Sequence, residues 1–443
     1  MKIKVYDTEI NVSNVYYWIS LFKQGRQETL KKLDSFYEGT DDIGKIVSGN
    51  NRINNKVHVN LARMITKNAT DYFIGEPVAY SYSDEFEGTD RYNYVDDLQF
   101  RNLEDTENKD LAKDCSKFGK AFELINIKDD KTLYYKRLDP MFTFDIWSVG
   151  ILPERICTIT YQTYKPRNKT EITEGFVYTN NQIIPFKINY RTTTFGEAID
   201  NVFGKIPVIF YLNNSDEKGD YESVTDLLTA YNKLMSCAVD DYESISNAIL
   251  LIRDSKQLDD ETKESLNSTR VLQLFSPDAE MAFINKTLDS EFVKMLREAI
   301  REDILTVTNV PDFTDKNFAG DNSASGIALR YKLIGFENLR ADKEVYFIQA
   351  LMRRWEVISQ YPAAKFDIKR DDIKIDMFPN LPNNIELDLE LTKLYNEGAI
   401  SRQTLLEKLQ TVKDAKEEER RLDDEKRAVT DYVNNTEIPD LKV

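Results

Sequence analysis

The sequence predicts an α+β chain, in which long helices accompany an antiparallel β region. Three observations predict it. Val224, Leu228, Tyr231, Met235, Ala238, Tyr242, Ile245, Ile249 and Ile252 alternate spacings of 4 and 3, the signature of one apolar helix face. Ile327, Tyr331, Ile334, Ala341, Val345, Ile348, Met352 and Trp355 keep the same spacing, with Asn338 as the one polar break. Between 121 and 212 the pattern changes to short runs rich in β-branched and aromatic residues, separated by polar turns.

Each element follows in order. Val57, Leu61, Met64, Ile65, Ala69, Tyr72 and Phe73 form one face of a helix over 55–73, which Gly75 and Pro77 terminate. VAYSYS at 78–83 alternates as a strand, and a second helix covers 105–118. The block AFELINI through IPVIFYL reads as six or seven strands. Asn213 to Gly219 reads as a polar linker into a helix over 221–252, and 253–288 as a small α+β insert. A helix over 290–309 follows, with Phe292, Leu296, Ala299, Ile300, Ile304 and Val307 on its apolar side, and Pro311 stops it. The next helix runs over 325–360, about 54 Å at 1.5 Å per residue. IKIDMFPNLPNN at 373–384 is extended, and the tail from 386 is helical, interrupted at Gly398 and restarted with Ser401 as cap.

Composition sets limits on function. A chain of 443 residues holds two to four domains. Its net charge of −17 argues against a protein that grips nucleic acid, which needs Lys and Arg to neutralise phosphates. An acidic wall remains compatible with a conduit past which a polyanion slides. Cys115, Cys157 and Cys237 are odd in number and far apart, which fits a reducing compartment and no CxxC metal site. MKIKVYDTEI lacks an apolar signal core, and no apolar run is long enough to span a bilayer.

The catalytic inventory is nearly empty. His58 is the only histidine, and it sits beside the apolar face of the first helix, where a structural role fits best. No GxxxxGK[ST] occurs, and GDNSASG at 320–326 lacks the glycine spacing of a nucleophile elbow. No metal site and no cofactor are expected. The segment most suggestive of function is the polar loop 311–324, longer than the 2–8 residues usual between helices. It carries Asp312, Asp315, Lys316, Asn317, Phe318, Asp321 and Asn322. Lys294, Arg297 and Arg301 share one face of the preceding helix, as either ion-pair partners or a phosphate-facing stripe.

These segments, in this order, resemble the portal proteins of tailed double-stranded-DNA bacteriophages, of the siphophage type. The resemblance runs through LKKLDSFYEGTDDI (30–43), NNKVHVNLARMITKNATDYFIGEPVAYS (54–81), GKIPVIFYLNNSDEKGDYESVTDLLTAYNKLMS (204–236) and NAILLI (247–252). It is strongest in FVKMLREAIREDILTVTNVPDFTDKNFAGDNSASGIALRYKL (292–333), and IKIDMFPNLPNN is its last echo. The resemblance implies a ring, typically a dodecamer, with wing, stem, clip and crown regions. The wing would be 1–239, with its β-rich part at 121–212, together with the long helix and extended segment 325–384. The stem helices would be 240–252 and 289–310, and the clip 253–288. The tunnel loop would be 311–324 and the crown 385–443.

The implied function is structural, with no enzymatic activity: a channel at one capsid vertex for DNA packaging and ejection. The implied partners are further copies of the chain, the terminase large subunit, a head-completion or adaptor protein, capsid and scaffolding proteins, and double-stranded DNA passing without sequence preference. No membrane is involved. The protein would be made in the host bacterial cytoplasm and reside in the virion. Two other classes stay open on residues alone: a metal-dependent nuclease using an Asp/Glu site, and a helical cytosolic scaffold with no DNA role.

Overall fold

The computed structural model describes residues 3–41, 54–83, 86, 89–128, 131–167, 170–190, 192–246, 249–253, 280–284, 290–313, 326–361, 373–379, 385–409, 412 and 415–435. The chain begins with β1 (Ile3–Val5), α1 (Val12–Gln24), α2 (Arg26–Glu38), α3 (Leu61–Ile74), β2 (Ala79–Tyr82), α4 (Asp90–Arg101) and α5 (Glu104–Phe118). A run of strands follows: β3 (Lys120–Ile127), β4 (Leu133–Leu138), β5 (Thr143–Ser148), β6 (Arg155–Tyr164), β7 (Ile172–Tyr178), β8 (Gln182–Asn189), β9 (Thr192–Phe195), β10 (Ile199–Asp200) and β11 (Val208–Leu212). Then come α6 (Thr225–Ser246), β12 (Ile249–Arg253), β13 (Glu280–Ile284), α7 (Ser290–Thr308) and α8 (Gly326–Ser359). The chain closes with β14 (Ile373–Asp376), α9 (Ile385–Asn396), α10 (Arg402–Lys408) and α11 (Ala415–Asn435). The mixed α+β class is as the sequence predicts.

The chain divides into two compact units. The larger comprises 1–34, 64–223 and 309–443. Its main sheet has the order β1-β5-β6-β7-β8-β10, with β9 also on β8. The strands from β5 onward pair antiparallel, and β1 joins β5 in parallel. Asn11 caps α1 by accepting from the Asn14 amide, and Val15, Trp18, Ile19 and Phe22 recur along its buried face. Phe22 stacks on Phe144 of β5, ring centroids 4.5 Å apart, which seats α1 on the sheet.

A second sheet, β11-β3-β4, carries α5 and α8. Leu111, Ala112 and Cys115 of α5 join Ala121, Ile125, Tyr135 and Tyr211 of the strands and Phe347, Leu351, Trp355 and Ile358 of α8 in one core. β14 pairs with β2, so the segment 373–376 is a strand within the fold and not merely extended chain. The stretch 213–219 is no loose linker either. Asn213 is buried, Glu217 holds a left-handed φ of 56°, and Asn214 Oδ1 accepts from the Lys218 amide.

The smaller unit comprises 35–63 and 224–308. In it α6 packs against α7. The chain at 55–59 runs along α6, each alternate amide donating to a polar side chain one helical turn apart. Val59 bonds to Asn232 Oδ1 at 3.0 Å, Val57 to Ser236 Oγ at 3.0 Å and Asn55 to Asp240 Oδ1 at 2.7 Å. His58 therefore precedes the helix in which the periodicity puts it, and its Nε2 lies 2.6 Å from Asp41 Oδ1. Its role is structural.

Three sequence expectations change. The helix expected to run to 252 ends at Ser246, and Ile249 and Ile252 lie in β12, paired with β13 through Ile249 opposite Ile284 and Ile252 opposite Met281. ILLI at 249–252 is an unbroken apolar run bracketed by β-branched isoleucines, a better strand than an amphipathic helix. On α7 only Ile304, Leu305 and Thr308 are buried, and Phe292 and Val307 are exposed. On α8 the expected stripe splits: Tyr331, Ile334 and Val345 face solvent, whereas Trp355 is buried and Ile348 and Met352 pack against the core. The buried face of α8 is Leu333, Phe336, Lys343, Phe347, Ala350, Arg354 and Ile358, again at spacings of 3 and 4 but with two cations in it. Of the insert expected at 253–288, residues 254–279 and 285–288 lie outside the described residues.

Candidate functional site

The candidate site is the connection between α7 and α8 and the supports of α8. The connection leaves α7 through Asn309, whose left-handed backbone (φ 55°) ends the helix in the manner of a C-cap. Val310 is buried, and Phe313 meets Phe336 of α8 edge-on, ring centroids 6.3 Å apart. Tyr72 of α3 stacks on Phe336 as well, ring centroids 4.3 Å apart. Gly335 admits the Asn309 side chain, since a Cβ there would lie 3.2 Å from Asn309 Oδ1. The start of the loop is thus fixed on α8 about two and a half to three turns past the point where α8 begins.

Of the loop residues singled out from sequence, Asp312 is described and half-buried. Asp315, Lys316, Asn317, Phe318, Asp321 and Asn322 lie outside the described residues. Lys294 and Arg297 are exposed on α7, and Arg301 is half-buried on the same side by spacing.

The sequence reading missed what holds α8. Arg354 is fully buried, and its Nε donates to Glu123 Oε2 at 2.8 Å and to the Tyr211 hydroxyl at 3.1 Å. Its Nη1 donates to Glu104 Oε1 at 2.8 Å and Nη2 to Asn108 Oδ1 at 2.7 Å. The guanidinium lies 4.6 Å from the Tyr135 ring centroid, a cation–π contact away from water. Glu104 also accepts from the hydroxyls of Tyr80 and Tyr135. Glu123 has its carboxyl raised by burial, against the pull of Arg354, and its Oε1 has no hydrogen-bond partner among the described residues.

Three turns earlier, Lys343 Nζ donates to Asn213 Oδ1 at 2.6 Å and to both oxygens of Asp220, at 2.8 and 2.7 Å. Asp220 also accepts from Ser116 and Asn213, which ties α8 to the end of α5 and to the 213–220 turn. Gly119 completes that turn at φ 81°, where a Cβ would lie 2.2 Å from the Glu217 carbonyl oxygen. The signal for both cations was present in the sequence: positions 343 and 354 fall in phase with Phe336, Phe347 and Ile358.

This arrangement can brace a helix and hold a loop; it offers no nucleophile, base and oxyanion constellation. Among the described residues, no group of three or more His, Cys, Asp or Glu is placed to hold a metal ion. No described helix is long and apolar enough to cross a membrane.

The sequence matches the family described as "Phage portal protein, SPP1 Gp6-like" over residues 23–432. The chain belongs to the SPP1-type phage portal family. The match includes α6, α7, α8 and the connection between the last two. The chain is also similar to the portal protein of Bacillus phage SPP1, at 17% identity over 427 residues, covering 91% of this chain and 82% of that one. The family is structural and not enzymatic. A portal protein is a component of the phage capsid, and that is the role the family assigns to this chain.

Proposed function

We propose that copies of this portal protein close into a ring at one capsid vertex and form the channel through which double-stranded DNA is packaged and later ejected. The observation that carries the reading is the family match, which runs unbroken through both long helices and the loop between them. In this reading the segments 240–252 and 289–310 are the stem, 253–288 is the clip, and 311–324 is the tunnel loop facing DNA. Residues 1–239 and 325–384 form the wing and 385–443 the crown. The ring is expected to be a dodecamer, made in the host bacterial cytoplasm and carried in the virion.

Two features support ring formation. Tyr331, Ile334 and Val345 on α8 are at least half exposed, as are Phe292, Met295 and Val307 on α7. Apolar stripes of this kind on well-formed helices are what a neighbouring copy would cover. The charge supports passage without grip. Twelve copies at −17 carry roughly −200, which disfavours lasting adhesion of DNA. The ring would repeat Lys316 around the channel, so weak phosphate contacts become multivalent and stay indifferent to sequence.

The chain has no phosphate-binding loop motif, so the packaging force would come from the terminase large subunit docked on the clip. A head-completion or adaptor protein would take that place afterwards, and capsid and scaffolding proteins would meet the wing. Particle mass and negative-stain images of the purified protein test the ring. A monomer under every condition, together with metal-dependent DNA cleavage, would overturn the reading in favour of a nuclease. The loop is tested by Lys316→Glu and by deletion within 314–322. Both should leave the ring intact and lower the yield of packaged DNA; a normal yield would refute the loop's role.

A further inference from the structure

The main sheet carries a recess that the portal reading does not use. It has a volume of about 690 Å³ and lies between α1, the β6–β7 hairpin and the end of β8. Lys23 and Lys165 reach it from two of those elements, Ile188 contributes its apolar floor, and Tyr16 and Tyr190 line it. Glu171 is the one carboxylate among the lining residues.

Lys23 is the telling group. Its ammonium is half-buried and sits 5.5 Å from the centroid of the Tyr161 ring, and it forms no ion pair among the described residues. Burial lowers its pKa, Glu171 pulls it partly back, and Lys31 adds to the lowering. A cation that is partly desolvated without a matched anion gains from one that arrives. Lys165 is exposed at the rim and also forms no ion pair among the described residues. Tyr190 holds a left-handed backbone, φ 61°, which is uncommon for a bulky residue and tends to persist where a site requires it. Tyr16 and Tyr190 are 39% and 75% exposed, so both can be reached by a ligand.

We propose that this recess binds a phosphate ester joined to a ring, the chemistry shared by a free nucleotide and a DNA backbone. The two ammonium groups take the phosphate as point charges, and the tyrosine rings receive the base or sugar. The volume suits a ligand of that size. Glu171 opposes the phosphate and sets an upper limit on affinity. The site lies within one protomer, so it stands whether or not the chain forms a ring.

The test is titration calorimetry on the full chain at low salt, with dAMP, inorganic phosphate and a short blunt DNA duplex as separate probes. Saturable binding of dAMP identifies a free nucleotide as the source; binding of the duplex alone identifies the backbone. In either case Lys23→Gln and Lys165→Gln should each weaken binding about tenfold or more, as loss of a charged hydrogen bond does. Glu171→Gln should tighten it severalfold. Opposite signs at the exposed Lys165 and Glu171 cannot both come from misfolding, and ring formation is read separately by particle mass. The proposal is overturned if no probe saturates, or if both lysine variants bind within about twofold of the parent.

Discussion

Replacing Arg354 by Met tests whether α8 is held by a buried charge network. Methionine keeps much of the volume and removes the cation. The change deletes the bonds to Glu123, Tyr211, Glu104 and Asn108, and leaves two carboxylates buried without a counter-charge. Breaking a buried pair from one side costs about 3–5 kcal/mol, mainly the penalty of the stranded charge. Two stranded carboxylates put the expected loss in the upper part of that range near neutral pH. Tryptophan fluorescence in urea reads it, because all 3 tryptophans, Trp18, Trp147 and Trp355, lie in the larger unit.

The loss should depend on pH. Burial already raises Glu123, and without Arg354 it rises further. A carboxyl raised above its unfolded value contributes stability that is present below that value and lost as pH rises through the folded value. The deficit of Arg354→Met should therefore be small near pH 4 and grow toward pH 8. Adding Glu104→Gln and Glu123→Gln to the variant should recover most of it, since neutral amides carry no stranded charge. A deficit below about 1 kcal/mol that is flat with pH, or a triple variant no better than the single one, would refute the network as the anchor.

Further outcomes follow from the same structure. Burial pushes Asp114 up to about 7, against the pull of Arg137, so its contribution to stability is present below its unfolded value near 4 and lost as pH climbs through 7. Asp114→Asn should flatten the fall in urea midpoint between about pH 5 and pH 8; an unchanged slope would count against it. Gly119→Ala should cost about 2 kcal/mol or more, because φ 81° and the Glu217 carbonyl at 2.2 Å leave a Cβ no room, and an unfolding midpoint like the parent's would contradict the geometry. Ile334→Asp and Val345→Asp should abolish rings, measured by particle mass, with monomer stability within about 0.5 kcal/mol of the parent. Rings of normal mass in both would remove α8 from the subunit seam.

The sequence made some of this legible and not the rest, for physical reasons. Where a segment's own periodicity is decided by local burial, the reading held. α3 buries Leu61, Ile65, Ala69, Tyr72 and Phe73 as its spacing predicts, and Ser401 caps α10 by accepting from the Thr404 amide. The β block alternated clearly enough to place β3 to β8 and β11, but the expected six or seven strands are nine among the described residues: β9 and β10, of 4 and 2 residues, escaped, as did β1 of 3, because so few positions show no period. α8 was found at nearly its true ends, but its predicted face holds only toward the C-terminal end, where Trp355 is buried and Ile348 and Met352 pack against the core. Its core positions 343 and 354 hold Lys and Arg, whose partners Asp220, Asn213, Glu104 and Glu123 lie more than a hundred residues away, beyond any local pattern. α6 was read too long because Ile249 and Ile252 continue its spacing by coincidence, while the partner that makes them a strand lies at 280–284.

The inversion on α8 bears on how a ring could assemble. A helix that buried its most apolar stripe against its own sheet would have little left to offer a neighbour. Here the inner face combines core side chains such as Phe347, Leu351 and Trp355 with Lys343 and Arg354, which make directional bonds to fixed acceptors, and the apolar side chains Tyr331, Ile334 and Val345 are still left outside. Burying each of those is worth about 1.5–3 kcal/mol, a force available only when another surface arrives. The two faces then answer to different conditions. The inner face depends in part on charge, and so on pH and on Arg354, beside its apolar packing. The outer face depends on apolar contact, and so on concentration and on the partner. If the proposed ring forms, anchoring of the helix and assembly would be separable, because the loop start at Phe313 is already fixed against Phe336 within one protomer.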